Sequence, residues 1–374
     1  MRIGFDAKRA FYNRSGLGNY SRDTLRALSR FYPDNEFFLY TPSEYNPLSF
    51  ELAANQQMHV PKGSTGKIAG AYWRTYKLAK EIGSDSLDIF HGLSNELPRK
   101  INTSGVRSVV TIHDLIFLRF PHWYPFIDRK IYTAKFKHAS KVADRIVAIS
   151  EQTRNDIVEF FGISPHKTDV VYQSCNDAFK SQISDSEKQI AKEKFNLPDE
   201  FLLYVGTIEE RKNLLNILVA MHEAGINIPL VIIGRKTDYY NKVQYYISEK
   251  GISNILFLTD LTVTDLPAIY QQAKIFIYPS IFEGFGIPII EALYSKVPVI
   301  TSKGSCFSEA GGNSSVYIDP TSPGEIAEAI QYLNKKPDVR AEMIELGYKY
   351  VQKFSADNLA SGLMDTYKKV LDER

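Results

Sequence analysis

Short apolar, β-branched segments alternate with longer amphipathic segments along the whole chain. This alternation is typical of parallel sheets covered by helices. In the first half, strands are predicted at 2–6, 36–41, 87–91, 107–113, 145–149 and 169–172. Helices are predicted at 17–31, 67–82, 124–140 and 151–161.

A polar, helix-favouring stretch at 180–194 interrupts the strand pattern, which then restarts. Further strands are predicted at 201–205, 229–233, 255–258, 275–278, 298–301 and 315–318, and further helices at 213–223, 239–249, 265–273, 288–295 and 324–334. Each half therefore predicts a doubly wound α/β domain. We expect domains at 1–178 and 179–355, with a C-terminal helix at about 356–374 that packs back on the first.

Composition excludes several classes of protein. The 374 residues include 45 basic and 43 acidic side chains, a balance that argues against a nucleic-acid-coating protein. The only cysteines are Cys175 and Cys306, so neither a disulfide framework nor a zinc cluster is predicted. Since no apolar run is long enough to span a bilayer, a cytoplasmic protein is expected.

The segment from 278 to 291 carries the most chemistry. A predicted strand ends near Tyr278, and a glycine-containing loop leads into a helix. Backbone N–H groups around Phe285 and Gly286 would form an anion site at the helix N-terminus. Glu283, in the loop, and Glu291, expected in the first helical turn, would flank that site and accept hydrogen bonds from hydroxyls. The pattern predicts a phosphorylated sugar as ligand.

The spacing of Glu283 and Glu291 resembles the E-x7-E signature of family 4 retaining glycosyltransferases, which have the two-domain GT-B fold. Four other segments agree with that family in the same order: SGLG at 15–18, TIHD at 111–114, VAIS at 147–150 and YVGTIEERKN at 204–213. The resemblance covers nearly the whole chain. It implies an α/β GT-B enzyme that uses a nucleotide diphosphate sugar, bound by the second domain.

Two adjacent cations, Arg211 and Lys212, follow a predicted strand that runs into Gly206. An arginine fork beside a lysine point charge suits a diphosphate, and the resemblance implies that role. The alternative is a solvated basic turn.

Gly16 and Gly18 fail as a dinucleotide-binding fingerprint. A long predicted loop at 7–15 separates them from the first strand, and Ser21 stands where a third glycine is required. The resemblance implies instead that they lie in a flexible loop that faces the donor phosphates and the acceptor.

Two histidines follow predicted strands. His113 ends a strongly apolar strand, and the resemblance implies that it contacts the transferred sugar near the anomeric centre. Asp114 is expected to orient His113 or to cap the next segment. His91 is a further candidate for contact with the acceptor. By position alone, each histidine could equally be structural.

No cofactor and no metal ion are predicted. HExxH is absent, and no strand-end loop carries an Asp-x-Asp motif. Arg211, Lys212 and a helix N-terminus could stabilise the departing diphosphate themselves. The segment at 257–260 departs from the family's usual Leu-Gly where the nucleotide base is expected, which leaves the base open. The segment at 204–213 resembles mannosyltransferase members, which favours GDP-mannose over a UDP-hexose.

An aromatic stretch at 120–126 leads into a basic helix that contains Arg129, Lys130, Lys135, Lys137 and Lys141. Residues 1–178 carry 24 basic against 18 acidic side chains. Aromatic and basic residues favour an anionic membrane surface, so the stretch predicts peripheral contact with the inner face of a membrane. A buried loop with a solvated helix face is the alternative. The distinction matters because many acceptors of this family are lipid-linked glycans.

The sequence thus predicts a retaining hexosyltransferase, mannose favoured, that transfers to a glycan hydroxyl in surface polysaccharide assembly. Two alternatives are a sugar-nucleotide epimerase of the same fold and a non-catalytic sensor of sugar nucleotides. Donor hydrolysis without acceptor would separate a transferase from a sensor. An epimerised donor would identify an epimerase.

Overall fold

The computed structural model describes residues 1–61, 67–259 and 261–373. The chain forms two compact units. Unit 1 consists of Met1–Ser174 and Ser355–Arg374, and unit 2 of Cys175–Phe354. The C-terminal segment therefore belongs to the same unit as the N-terminus.

Unit 1 contains a wholly parallel sheet. Its strands are β1 Arg2–Asp6, β2 Glu36–Tyr40, β3 Gln56–His59, β4 Ile89–Gly92, β5 Arg107–Ile112, β6 Arg145–Ala148 and β7 Thr168–Val170. Over the described residues the order is β3-β2-β1-β4-β5-β6-β7. Asp6 pairs with Gly92, and Gly92 pairs with Val110. The carboxyl ends of β1, β4 and β5 therefore lie side by side, where ligands bind in such sheets.

Helices flank this sheet. They are α1 Lys8–Tyr12, α2 Gly16–Phe31, α3 Lys67–Tyr72, α4 Leu78–Ser84, α5 Ile116–Arg119, α6 Phe126–Val142 and α7 Glu151–Phe161. One turn of π-helix, Trp73–Lys77, interrupts the single helix predicted at 67–82.

The structure corrects two other expectations in this unit. The predicted loop at 7–15 contains α1, so Gly16 begins a helix directly after a short connection. Strand β3 was not predicted because its sequence, QQMH, lacks an apolar run. It lies at the sheet edge beside β2 and forms through backbone pairing, which side-chain patterns do not report.

Unit 2 contains the second parallel sheet. Its strands are β8 Leu202–Val205, β9 Leu230–Ile233, β10 Ile255–Leu258, β11 Ile275–Tyr278, β12 Val299–Ser302 and β13 Val316–Ile318. Over the described residues the order is β10-β9-β8-β11-β12-β13. The central strands are buried on both faces, which explains their nearly continuous apolar sequences. The order reverses between β8 and β11, and this switch point is the expected ligand site.

Helices cover both faces of this sheet as well. They are α8 Asp185–Phe195, α9 Leu214–Glu223, α10 Tyr239–Glu249, α11 Asp265–Tyr270, α12 Ile287–Tyr294, α13 Phe307–Gly311, α14 Pro323–Lys335 and α15 Pro337–Val351. The last helix of the chain, α16 Ala356–Asp372, belongs to unit 1 and packs against α2, β5 and β6.

Serine residues fix the starts of several helices. The Ser150 hydroxyl accepts a hydrogen bond from the Thr153 N–H at the start of α7. Ser184 and Glu187 form a reciprocal capping box at α8. Ser150 is also the last residue of the VAIS segment, so that part of the family pattern has a structural role in this chain.

Helix α6 exposes apolar side chains beside basic ones. Phe126, Ile127 and Ile131 are 63%, 70% and 46% exposed. Arg129 and Lys130 both lie over the Phe126 ring, 5.5 and 5.3 Å from its centroid. Upstream, the stretch at 120–126 is partly self-packed, with Phe120 stacked on Trp123 at 4.6 Å. No helix in the described part of the chain is long and apolar enough to cross a membrane.

Candidate active site

The switch point of unit 2 brings two loops together. The turn after β8 carries Arg211 and Lys212 in a short 3-10 helix, and the loop after β11 carries Glu283. The Ile281 N–H donates to the Arg211 carbonyl at 2.9 Å and ties the two loops to each other. Residues 71 positions apart in sequence thus form one cluster.

A single carboxylate holds both cations. Glu283 Oε1 lies 2.8 Å from Arg211 Nη1 and also accepts a hydrogen bond from Lys212 Nζ. The Tyr278 hydroxyl accepts from Lys212 Nζ at 2.6 Å and donates to the same Glu283 oxygen at 3.0 Å. The charged side chains are only 16%, 13% and 11% exposed. The alternative of a solvated basic turn is therefore wrong.

Burial and charge set the ionisation of this cluster. Burial alone would raise the pKa of Glu283, but Arg211 and Lys212 outweigh it and lower that pKa to about 2. Glu283 and Glu209 raise the pKa of Arg211 against the effect of burial. Burial raises the pKa of the Tyr278 hydroxyl well above its usual value, so Tyr278 stays a neutral donor. Burial lowers the pKa of Lys212, against the opposing effect of Glu283. Arg211 and Glu283 therefore carry fixed charges at neutral pH.

Sequence reasoning gave Glu209 and Tyr278 no role. Glu209 Oε1 accepts a hydrogen bond from Arg211 Nη2 at 2.6 Å, and the Phe282 carbonyl accepts from Nη1 at 2.6 Å. The guanidinium is thus oriented by two loops. The available signal for Glu209 was an acidic side chain two positions before Arg211 in the YVGTIEERKN segment. Tyr278 had no such signal, because it was part of an apolar strand.

Helix α12 begins at Ile287, with Gly286 as its N-cap. Glu291 is therefore the fifth residue of the helix and lies in the second turn, which corrects the expected first-turn position. Its Oε2 accepts a hydrogen bond from the buried Tyr270 hydroxyl at 3.0 Å. The Phe285 side chain is buried, and its carbonyl accepts from Cys306 Sγ at 2.8 Å.

Gly206 lies at the end of β8 and donates its N–H to the Ile233 carbonyl at 2.9 Å. A cavity of about 540 Å³ opens beyond β9 and β10. Its lining includes Arg235, Lys236, Leu258 and Leu261. Leu258 and Thr259 line this cavity and belong to the segment at 257–260, which departs from the family's usual Leu-Gly. Asp260 lies outside the described residues.

The structure places Gly16 and Gly18 in the first turn of α2, so the expected flexible loop is wrong. A Cβ at Gly18 would lie 1.8 Å from the Asn13 carbonyl oxygen, which makes glycine obligatory there. A Cβ at Gly16 would meet no other atom within 4 Å. Close packing therefore requires glycine at position 18, whereas the space beside Gly16 is open.

His113 lies just beyond β5 in unit 1 and is 5% exposed. Its Nε2 is 2.9 Å from the Leu93 carbonyl oxygen, and its ring meets Tyr20 edge-on at 4.6 Å. Burial lowers the pKa of His113 to about 4, so the imidazole is neutral at pH 7. Asp114 accepts a hydrogen bond at 3.2 Å from the N–H of Ile116, the first residue of α5.

His91 is not available for an acceptor. It is fully buried on β4, with Nδ1 2.7 Å from the Tyr367 hydroxyl and Nε2 2.8 Å from Thr111 Oγ1. Thr111 Oγ1 is in turn 3.1 Å from the Tyr20 hydroxyl. Burial lowers the pKa of His91 to about 3. The structural alternative is thus correct for His91, which links α16 to the sheet through a buried polar network.

Two family models match this chain. The family model described as Glycosyltransferase Family 4 matches residues 14–178, and the model described as Glycosyl transferases group 1 matches residues 185–350. The chain belongs to glycosyltransferase family 4. The family expectation is confirmed.

Two curated relatives of this glycosyltransferase are mannosyltransferases. O-antigen chain mannosyltransferase B of Escherichia coli is 28% identical over 288 residues, which cover 75% of this chain and 74% of the relative. O-antigen chain mannosyltransferase RfbU of Salmonella typhimurium is 28% identical over 253 residues, 67% of this chain and 66% of the relative.

Solved structures establish the fold. Anabaena Alr3699/HepE, solved in complex with UDP-glucose, matches with a TM-score of 0.76 at 16% sequence identity, covering 99% of this chain and all of that one. The fold is GT-B, as the sequence predicted. At this identity the match concerns architecture alone.

The buried histidines predict how stability depends on pH. His91 and His113 remain neutral in the folded protein, whereas in the unfolded chain they bind protons below a pH of about 6.5. The contribution of these neutral histidines to the free energy of unfolding is complete above pH 6.5 and is lost as the pH falls towards 4. For His113 alone the loss by pH 4 is on the order of 3 kcal/mol. The stabilisation from the lowered pKa of Glu283 is complete above pH 4.5 and is lost only as the pH falls towards about 2, so it stays constant between pH 7 and 5.

Urea unfolding followed by fluorescence at pH 7, 6 and 5 measures this loss. The free energy of unfolding of the His113→Gln variant should decline less steeply with falling pH than that of the unsubstituted protein. His222→Gln, at an exposed position on α9, should keep the original slope. A midpoint that does not change between pH 7 and 5 would contradict the prediction.

Proposed function

We propose that this glycosyltransferase transfers mannose from GDP-mannose to a hydroxyl of a glycan acceptor, with retention of anomeric configuration and without a metal ion. Surface polysaccharide assembly is the proposed setting. The observation that carries the proposal is the buried cluster of Arg211, Lys212 and Glu283 at the switch point of unit 2.

The cluster suits a departing diphosphate for a physical reason. Its cations are largely shielded from water and are held in place by Glu209, Tyr278 and Glu283 before any ligand arrives. Preorganised charges of this kind stabilise negative charge that develops on a leaving group without reorganisation. Lys212 uses two of its three N–H donors on Tyr278 and Glu283, which leaves one for a phosphate oxygen.

The ionised Glu283 is also proposed to accept hydrogen bonds from hydroxyls of the sugar ring. Its low pKa keeps it a pure acceptor, and its position beside both cations would place the sugar next to its diphosphate. We assign the remaining donor contacts to Gly206, the backbone at Phe285 and Gly286, and Glu291. Glu291 would bind the ribose hydroxyls.

Unit 2 would hold the donor and unit 1 the acceptor. Gly16 and Gly18 would face the donor phosphates, and His113 would contact the transferred sugar. We propose front-face attack: the bond from the acceptor oxygen to the anomeric carbon forms as the bond to the phosphate oxygen breaks. The acceptor's proton moves to the departing phosphate oxygen, so no carboxylate serves as a covalent nucleophile.

The donor base is the first test. The names of the two mannosyltransferase relatives support mannose as the transferred sugar, and GDP-mannose is the proposed donor. The cavity of about 540 Å³ beyond β9 and β10 is the proposed base site, and it is large enough for a purine. In calorimetric titration, GDP should bind at least about tenfold more tightly than UDP, a difference of about 1.4 kcal/mol. Tighter binding of UDP would overturn the GDP assignment.

Removal of the cations tests the diphosphate role. Arg211→Ala with Lys212→Ala should lower turnover by ~100-fold or more, because two donors aimed at the leaving group are lost. The same substitutions would leave the buried Glu283 carboxylate unpaired and could destabilise the fold. The triple variant, which adds Glu283→Gln, removes that buried charge and shows whether the loss of turnover persists in a folded protein. Lys194→Ala, which breaks an exposed ion pair with Asp265, is the matched control and should retain full turnover. Near-normal turnover of the double variant would refute the role.

A peripheral membrane contact would bring a lipid-linked glycan to unit 1 from the inner face of a membrane. The exposed face of α6 supports this proposal, because Phe126, Ile127 and Ile131 lie beside Arg129 and Lys130. Apolar side chains of an interfacial helix enter the headgroup boundary, and nearby cations contribute roughly 1 kcal/mol each with anionic lipid.

Sedimentation with anionic vesicles tests this contact. The protein should pellet with the vesicles at low salt and be released at high salt, since salt screens the attraction. Phe126→Ser with Ile127→Ser should abolish pelleting. The control is Ile190→Ser, at a site 60% exposed in unit 2, which should behave like the unsubstituted protein. If the unsubstituted protein stays in the supernatant at low salt, α6 is an ordinary surface and the acceptor is a soluble sugar.

A further inference from the structure

His113 is held by the short segment that follows β4. We call this segment, residues 93–95, the clasp. It returns over the end of the sheet beside β5, so that its backbone and side chains meet residues 111 and 113.

Asn95 makes the two bonds that fix the clasp to β5 and to His113. Its N–H donates to the Thr111 carbonyl at 2.9 Å, and its Oδ1 accepts from the His113 N–H at 2.8 Å. Asn95 is 6% exposed and has a φ of +64°. Asparagine tolerates this left-handed conformation better than other residues with side chains, apart from aspartate. One side chain thus combines the required backbone conformation with the required acceptor.

The clasp also fixes the imidazole ring. A carbonyl oxygen can only accept, so the contact between His113 Nε2 and the Leu93 carbonyl places the proton on Nε2. In the neutral ring Nδ1 is then the acceptor. Tyr20 packs edge-on against the ring, and Thr153 Oγ1 donates to the His113 carbonyl at 3.2 Å. Ring orientation and tautomer are therefore both set by neighbours.

We propose that Asn95 is a positioning residue, which holds the backbone of His113 so that Nδ1 is presented as a hydrogen-bond acceptor to a hydroxyl of the transferred sugar. This inference rests on the proposed function of His113. Asn95 itself touches neither the donor nor the acceptor in the proposed arrangement. It acts through the His113 backbone and the Leu93 carbonyl, whose position the clasp determines.

Replacement of Asn95 by glycine separates the bond from the backbone conformation. Asn95→Gly accommodates the positive φ but lacks Oδ1. We expect kcat to fall roughly 10- to 100-fold, the scale reached when a catalytic group is displaced by about 1 Å, with little change in the KM for the donor. Ser94→Ala is the matched control, since Ser94 is equally buried in the clasp and no described bond joins it to His113. It should keep the original kcat.

A double substitution identifies the route of the effect. If Asn95 acts through His113, then Asn95→Gly should cost little in a His113→Ala background, because coupled residues are not additive. Additive losses in kcat would show that Asn95 acts elsewhere and would overturn the inference.

The Asn95→Asp variant tests whether Asn95 affects the pKa of His113, which would not change if Asn95 had a merely structural role. The titratable or charged groups near His113 are Tyr20 on α2, His91 on β4, Arg9 on α1 and the adjacent Asp114. A new carboxylate beside the His113 N–H would favour the protonated ring and raise its pKa. Since the neutral ring is the working form, the acidic limb of kcat against pH should move to higher pH. NMR of ¹⁵N-histidine-labelled protein should show the same shift.

The outcomes are distinguishable. If the unsubstituted protein transfers no sugar from GDP-mannose or UDP-hexoses, the proposed function fails, and the inference fails with it. If it transfers sugar and Asn95→Gly keeps its kcat, or Asn95→Asp leaves the His113 resonances and the acidic limb unmoved, only the inference fails. A loss of thermal stability without these kinetic changes would make Asn95 a purely structural residue.

Discussion

The burial of one carboxylate with two cations is the constraint on which unit 2 depends. Glu283, Arg211 and Lys212 are all shielded from solvent, and an isolated buried charge would be strongly destabilising. The loops after β8 and β11 must therefore stay together, since each supplies the counter-charge of the other. The same constraint keeps two cations dehydrated and oriented at the switch point, where a phosphorylated donor is expected to bind.

One group of buried polar side chains in unit 1 carries no formal charge. It is a hydrogen-bonded network that runs from Tyr20 through Thr111 and His91 to Tyr367 on α16. Burial keeps the histidine uncharged, and every polar atom in the series meets a partner, as low-dielectric surroundings require. The C-terminal helix is thereby tied to the sheet edge that carries His113.

The sequence predicted most of the strands because parallel strands buried on both faces need apolar side chains at nearly every position. It could not show β3, which is an edge strand, or α1, whose five residues are too few for a recognisable period. The π-helical turn at Trp73–Lys77 was also invisible, because it alters backbone hydrogen bonds within an otherwise helical segment. The helix after Gly286 was predicted, but a start one residue earlier moved Glu291 into the second turn.

For the candidate site, the sequence by itself determined which residue types stand beyond which strands. His113, Arg211, Lys212 and Glu283 were singled out that way, and the resemblance of five segments indicated the family and the fold. Tertiary structure decided their partners, because a hydrogen bond between residues 18 or 71 positions apart leaves no periodic trace in either segment. It assigned Glu283 to the cations, made His91 structural, and placed Asn95 against His113, since burial and short-range bonding depend on distances that only the folded chain defines.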